Sequence, residues 1–188
     1  MLAGRRSLAF ALVPLFGCAP SSSSGGSSYY ARLGAMADGG PLTEQRRQSI
    51  LAASVQSLDV GLAGVQFGAT MDDVIALWGR PNAIWMQGEG RTQTIIANSH
   101  FEFQDNGLVE IDIHSADLPA FSIADGQVAM GEPCPDLTVV FPGARATDRN
   151  DDDTREVQLT SGVIVNALSM DGVIISISTE RPQGVHAP

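Results

Sequence analysis

The sequence contains no lysine; all eleven of its cationic residues are arginine. That absence removes the phosphate-binding lysine of a P-loop, the Schiff-base lysine of pyridoxal-phosphate enzymes and Ser-x-x-Lys acyl transfer. Histidine is scarce at three residues and cysteine at two, Cys18 and Cys134. No nucleophile elbow, helical-spaced histidine pair, glycine-rich phosphate loop or Cys-x-x-Cys occurs. No catalytic residue, metal ligand set or cofactor is therefore expected, and the chain does not read as an enzyme. Apolar runs are short too. The one from Leu8 to Phe16 is about half of the roughly 20 residues that a transmembrane helix needs. Charge is one-sided, with 21 acidic residues and a formal net charge of −10. Such a surface repels phosphate backbones and anionic headgroups, so no nucleic-acid partner is expected.

The 188 residues are 44% apolar, enough for a folded body of one domain or two small ones. The first 17 have the parts of an export signal: Arg5-Arg6, the apolar run from Leu8 to Phe16, and the small Gly17 at the cut. The ending Leu15-Phe16-Gly17-Cys18 resembles the lipobox of bacterial lipoproteins. The resemblance implies a diacylglyceryl group, then palmitate, on Cys18 as the mature N-terminus. Ala19 is not the aspartate that marks inner-membrane retention in enteric bacteria, so it also implies the periplasmic face of the outer membrane over the inner membrane. Loss of Arg5 and Arg6 with the leader leaves nine cations against 21 acids, or −12. Cys134 then has no disulfide partner in the chain and reads as a small buried apolar residue. Residues 18–40, rich in Ser and Gly, are expected to be a flexible tether spanning roughly 25 Å.

Residues 41–125 are expected to hold a helix and a first α/β unit, 126–182 a second unit, and 183–188 a loose tail with His186. Thr43 caps a helix running to Leu58, with Ile50, Leu51, Val55 and Leu58 at helical spacing. In "FGATMDDVIALWGRPNAIW", Thr70 and Asp73 form a capping box, Val74, Leu77 and Trp78 a stripe, and Gly79 and Pro81 a stop. Strands follow at Ala83–Met86 and Thr94–Ala97, then a hairpin over His100–His114. A three-residue loop, Asp105-Asn106-Gly107, would pair Phe103 with Val109 and Phe101 with Ile111 and segregate the faces. The order recurs 63 to 65 residues on: a short helix near Pro135–Phe141, an acidic loop, and strands at Glu156–Leu159, Val163–Leu168 and Val173–Thr179. The second hairpin falls one residue out of phase with the first.

Gly68, Thr70, Val74, Gly79, Pro81 and Gly107 together resemble the small protein A/outer-membrane lipoprotein A domain. Two such units in tandem are similar to the architecture of the β-lactamase inhibitor protein. The resemblance implies an α+β fold of two tandem helix-plus-hairpin units, with helices packed on one face of an antiparallel sheet and used for protein binding. The inferred register puts His100, Glu102, Gln104, Glu110, Asp112 and His114 on one face. His100 then lies opposite Asp112 and Glu102 opposite Glu110, so an arginine, a metal or a partner's cation belongs between the like charges. Trp85 reads either as core or as an exposed anchor. In "DRNDDDTRE", Asp148, Asn150 and Asp152 have calcium-loop spacing, but Asp153 stands where glycine is needed and Leu159 where the final glutamate belongs. The expected function is non-enzymatic binding of an envelope or periplasmic protein by a lipid-anchored accessory or adaptor. Alternatives are an inhibitor or immunity protein against a periplasmic enzyme or toxin, and a metal-binding protein or carboxylate-based hydrolase.

Overall fold

A computed structural model describes residues 39–53, 57–88 and 90–182. The leader, Cys18, most of the tether, Val55 and the tail with His186 lie outside the described residues. The chain enters at Gly39, whose N–H donates to Pro81 O at 2.9 Å. Helix α1, Glu44–Ala52, is capped by Thr43, whose side chain accepts from the Arg46 N–H. Two short strands, β1 (Gly61–Leu62) and β2 (Val65–Gln66), precede α2, Met71–Trp78. The expected capping box is present: the Thr70 side chain accepts from the Asp73 N–H, and Asp73 accepts from the Thr70 N–H. The Thr70 hydroxyl, which donates to Asp73 Oδ2 at 2.6 Å, and then the Thr70 N–H hold the Asp73 carboxyl below its ordinary pKa.

The strands β3 (Ala83–Gly88), β4 (Arg91–Ile96), β5 (Ser99–Gln104) and β6 (Gly107–His114) follow as a meander. A small ribbon, β7 (Ser122–Ile123) with β8 (Val128–Ala129), leads to α3, Leu137–Val140, and then to β9 (Arg145–Ala146), β10 (Thr154–Gln158), β11 (Ile164–Met170) and β12 (Val173–Glu180). One antiparallel sheet holds eight of these strands in the order β3-β4-β5-β6-β12-β11-β10-β9.

This corrects the expected α+β architecture of two tandem helix-plus-hairpin units. The described residues are mostly β, with only 17% helix. The strands form one continuous sheet because β6 pairs with β12, Ile111 opposite Thr179 and Asp112 opposite Ser178. Separate units would have left both of these strands with unpaired backbone edges. The helix of the expected second unit, α3, is a single turn of four residues, bounded by Pro135 and Pro142 and containing the β-branched pair Val139-Val140, which weakens helix propensity.

The β5–β6 hairpin also departs from the expected loop. Its turn has two residues, Asp105 and Asn106, both at positive φ (50° and 70°), the backbone of a type I′ turn. Phe103 therefore faces Leu108, and a bulge at Val109 restores Glu102 opposite Glu110 and Phe101 opposite Ile111. That bulge is why both Leu108 and Ile111 can point inward although an even spacing would separate their faces. The β11–β12 hairpin is built alike, with Asp171 and Gly172 at positive φ and an extra residue, Ile175, before Ser176. Aligned on their turns, Asp105-Asn106 and Asp171-Gly172, the two hairpins are in phase, correcting the expected offset of one residue, which came from placing the first turn at Asn106-Gly107.

The inner face of the sheet makes the core. Phe101, Phe103, Leu108, Ile111, Ile113, Val165, Ala167, Ile174 and Ile177 are buried there together with Trp78 and Val74 of α2. The Trp78 ring meets Phe101 edge-on at 5.0 Å between centroids, and its Nε1–H donates to Ala63 O at 3.3 Å. Asp117 is buried as an acceptor for the Asn98 N–H and Nδ2–H (both 2.8 Å) and the Ser99 hydroxyl (2.7 Å). It ties the β4–β5 turn to the segment after β6.

Candidate functional site

Alternation along the strands sends every second side chain to the outer face. On β5 these are His100, Glu102 and Gln104; on β6, beyond the bulge, they are Glu110, Asp112 and His114. The structure thus brings all six onto one face, with His100 opposite Asp112 and Glu102 opposite Glu110. The β6–β12 pairing adds Glu180 opposite Glu110, Ser178 opposite Asp112 and Ser176 opposite His114. Glu102, Glu110 and Glu180 consequently stand abreast on three adjacent strands.

Directly opposed like charges are unfavourable, and the site relieves them in two ways. Arg91 on β4 reaches Glu102, with Nε 3.2 Å from Oε1, and also donates to Gln104 Oε1 at 3.2 Å. It approaches from the β4 side of the row and so does not stand between Glu102 and Glu110, where an arginine, a metal or a partner's cation was expected. Glu110, in the middle, is relieved by keeping its proton to higher pH than an ordinary glutamate. Burial first, then the charges of Glu180, Glu102 and Asp112, push its pKa from 4.5 to about 7, against a smaller pull from Arg91. Asp112 accepts a hydrogen bond from the Ser176 hydroxyl.

The two histidines are not joined into a metal centre. His114 Nδ1 accepts from the Ala116 N–H at 3.1 Å, which occupies one of its ring nitrogens. Among the described residues no group of three or more His, Cys, Asp or Glu has the arrangement to hold a metal ion. The Asp148–Asp153 loop uses its side chains on its own backbone. Asn150 Nδ2 donates to Thr147 O (2.9 Å) and Glu156 O (2.8 Å), and its Oδ1 accepts from the Glu156 N–H at 2.9 Å. Asp151 accepts from the Thr154 and Asp153 N–H groups, which lowers its pKa. Glu156 itself is buried, 3% exposed, accepting from the Thr147 hydroxyl at 2.7 Å with Arg149 3.7 Å away. Cys134 is half-buried, and desolvation raises its thiol pKa.

Trp85 resolves to the exposed alternative. It lies on β3 opposite Gln93, which in turn lies opposite Glu102, so the indole is on the row that continues into the three glutamates. It is 48% exposed, and its neighbour Met86 is 50% exposed. Leu168 and Met170 are exposed farther across the sheet, on β11. Two described depressions lie elsewhere. One of about 490 Å³ is lined by residues such as Val65, Phe67, Asp73 and Leu77, and one of about 330 Å³ by residues including Arg145, Gln158 and Thr160.

Sequence reasoning missed Glu180, because pairing between the two hairpins has no local signature. The acidic end of the β12 pattern, two residues beyond Ser178, was the available signal.

The sequence matches no family model and no curated protein. Among solved structures it is similar to a cysteine-rich secretory protein from Staphylococcus aureus, with 7% identity and a TM-score of 0.43 over 62% of this chain and 43% of that chain. It is also similar to an extracellular SCP-domain protein from Bacillus anthracis, with 11% identity and a TM-score of 0.43 over 75% of this chain and 48% of that chain. The chain spans less than half the length of either structure, and this likeness transfers no site or activity.

Proposed function

We propose that this protein is a lipid-anchored component of the bacterial cell envelope, held through Cys18, whose outer sheet face binds a basic protein partner without catalysis. One observation carries the reading: Glu102, Glu110 and Glu180 abreast beside Asp112, with Arg91, among the described residues, paired to Glu102 at one end of the row. Holding like charges this close costs folding free energy. A cationic partner offsets that cost on binding, so the row favours the bound state and selects a partner by charge. The exposed Trp85 on the same row supplies the aromatic anchor that protein interfaces favour. On this reading residues 18–40 act as a spacer that keeps the face clear of the headgroups, which the −12 of the processed chain would otherwise oppose.

The test uses the full-length protein in its native envelope, labelled with a palmitate analogue and purified from the membrane fraction beside Cys18→Ser. The expected result is label on the wild type alone and one basic envelope protein enriched with it. An unlabelled wild type would overturn the anchor, and the absence of any enriched protein would overturn the binding role.

A further inference from the structure

We propose that residues 33–38 of this chain, which lie outside the described residues, close the free edge of β3 as a ninth, antiparallel strand of the sheet. This goes beyond the protein-binding reading above and narrows the spacer to residues 18–32.

The two edges of the sheet differ. At one end β9 has only two residues, Arg145–Ala146, and follows Pro142-Gly143. A short strand carrying a charge close to a proline is a guarded edge. At the other end β3 has six residues, Ala83–Gly88, with no charge and no proline among them. Among the described residues it pairs with β4 alone, in a regular register from Ala83 opposite Ile95 to Met86 opposite Thr92. Alternate residues of such a strand turn their N–H and C=O groups away from the neighbour, so this edge is built to be covered.

The root of the edge is already bonded to the chain that precedes α1. Gly39 N–H donates to Pro81 O at 2.9 Å, and Gly39 O accepts from Asn82 Nδ2 at 3.2 Å. Both polar groups of Gly39 thus face the residues that lead into β3, as in a hydrogen-bonded pair of an antiparallel ladder. Pro81 has no N–H to return the second bond, and the Asn82 amide supplies it. The approach is backbone to backbone: a Cβ on Gly39 would collide with Arg80 O and stand 2.7 Å from the Pro81 carbonyl.

The direction of the chain on either side of Gly39 decides what covers the edge. Beyond Gly39 it turns into α1, whose Arg46 donates to Leu77 O at the end of α2 and whose Arg47 donates to Asp117 O beyond β6. Asp117 is tied to the β4–β5 turn through Asn98, at the end of the sheet where β3 begins. These contacts draw α1 away from the length of β3, so the ladder is continued by the residues before Gly39, from residue 38 near Asn82 to residue 33 toward Gly88. Six extended residues span about 20 Å, the length of β3. Covalent continuity selects this occupant: the segment ends at a contact already made and carries no cost of bringing in a second molecule. Leu33 and Met36 bring apolar groups beside Trp85 and Met86, which are half-exposed, and Asp38 is the only charge of the segment. The Trp85 side chain stands off the plane of the sheet, so the outer-face contact proposed above is retained. The remaining spacer, residues 18–32, spans roughly 20 Å and leaves the domain at the Gly88 end of β3.

The experiment uses the full-length lipidated protein, purified in a neutral detergent, with the photo-crosslinking residue p-benzoylphenylalanine at Met86 or at Arg145 on the guarded edge. Irradiation is expected to give an intramolecular link from Met86 to a peptide within residues 33–38, at a yield independent of protein concentration, and no such link from Arg145. Ala35→Pro together with Met36→Pro removes an N–H donor whichever of the two residues faces β3, and should lower the link about fivefold or more while the protein still unfolds cooperatively in urea. Without any substitution, the amides of residues 33–38 should exchange hydrogen about tenfold or more slowly than in urea. The proposal is overturned by an adduct between two copies, by the absence of a link from Met86 to residues 33–38, by a link insensitive to the two prolines, or by amides there that exchange as fast as in urea.

Discussion

Replacing Glu110 with glutamine should make the protein more stable, and only above mildly acidic pH. In the folded protein the Glu110 carboxyl titrates near 7 instead of 4.5 because it is desolvated and faces Glu180, Glu102 and Asp112. The folded state therefore holds a proton that the unfolded state has released between these values, and stability falls as pH rises through that window. Below about 4.5 both states are protonated and Glu110 costs nothing; above about 7 the full cost is present. A displacement of this size corresponds to about 3 kcal/mol. In a domain of this length that is a difference of roughly 6–12 °C in Tm. Urea titrations followed by tryptophan fluorescence from pH 4.5 to 8.5 would compare wild type with Glu110→Gln. The two should nearly coincide at pH 4.5, and the variant should lead by about 3 kcal/mol at pH 8.5. A constant gap across the range, or a wild type that gains stability relative to the variant as pH rises, would refute the assigned role of the glutamate row.

Three further substitutions or probes test the frame around the row. Trp78→Ala removes a fully buried ring that meets Phe101 and bonds Ala63, and should cost about 3–5 kcal/mol in denaturant titrations. Asp117→Ala leaves the donors of Asn98 and Ser99 without their acceptor and should cost at least ~2 kcal/mol, with hydrogen exchange of the Asn98 amide accelerated before global unfolding. Burial raises the Cys134 thiol pKa, so at pH 7.5 the folded protein should alkylate there more slowly than the urea-unfolded chain, as read by peptide mass spectrometry.

Local chemistry made much of the strand layout legible. The alternation over Ser99–Gln104 appears directly as buried and half-exposed residues, and Thr70, Asp73 and Pro81 bracket α2 as their side chains require. The turn length was not legible, because a two-residue turn mixes the faces unless Val109 bulges, and a bulge depends on the packing of Leu108 and Ile111 that it enables. The joining of the hairpins was hidden for a related reason. Pairing of β6 with β12 satisfies backbone edges 62 to 70 residues apart in sequence, and neither strand shows locally which neighbour it will take. His100 to His114 share one face as the three-residue loop implied, because the Val109 bulge supplies the one-residue offset that the two-residue turn lacks, whereas Glu180 joined that face only through the long-range pairing. Arg91 was not legible, since its reach to Glu102 from the far side of the row depends on the β4–β5 register.

The account turns on the three glutamates acting as a binding row. Its most direct test is retention of the co-purifying envelope protein on wild type and on the triple variant Glu102→Gln, Glu110→Gln, Glu180→Gln, at low and high salt. Because the variant relieves repulsion, it should be at least as stable as wild type at neutral pH, so lost binding would not come from lost folding. The account predicts about a tenfold or greater fall in retention on the variant, and a wild-type interaction that weakens with salt while the residual one does not. Equal retention by both proteins, independent of salt, would contradict it.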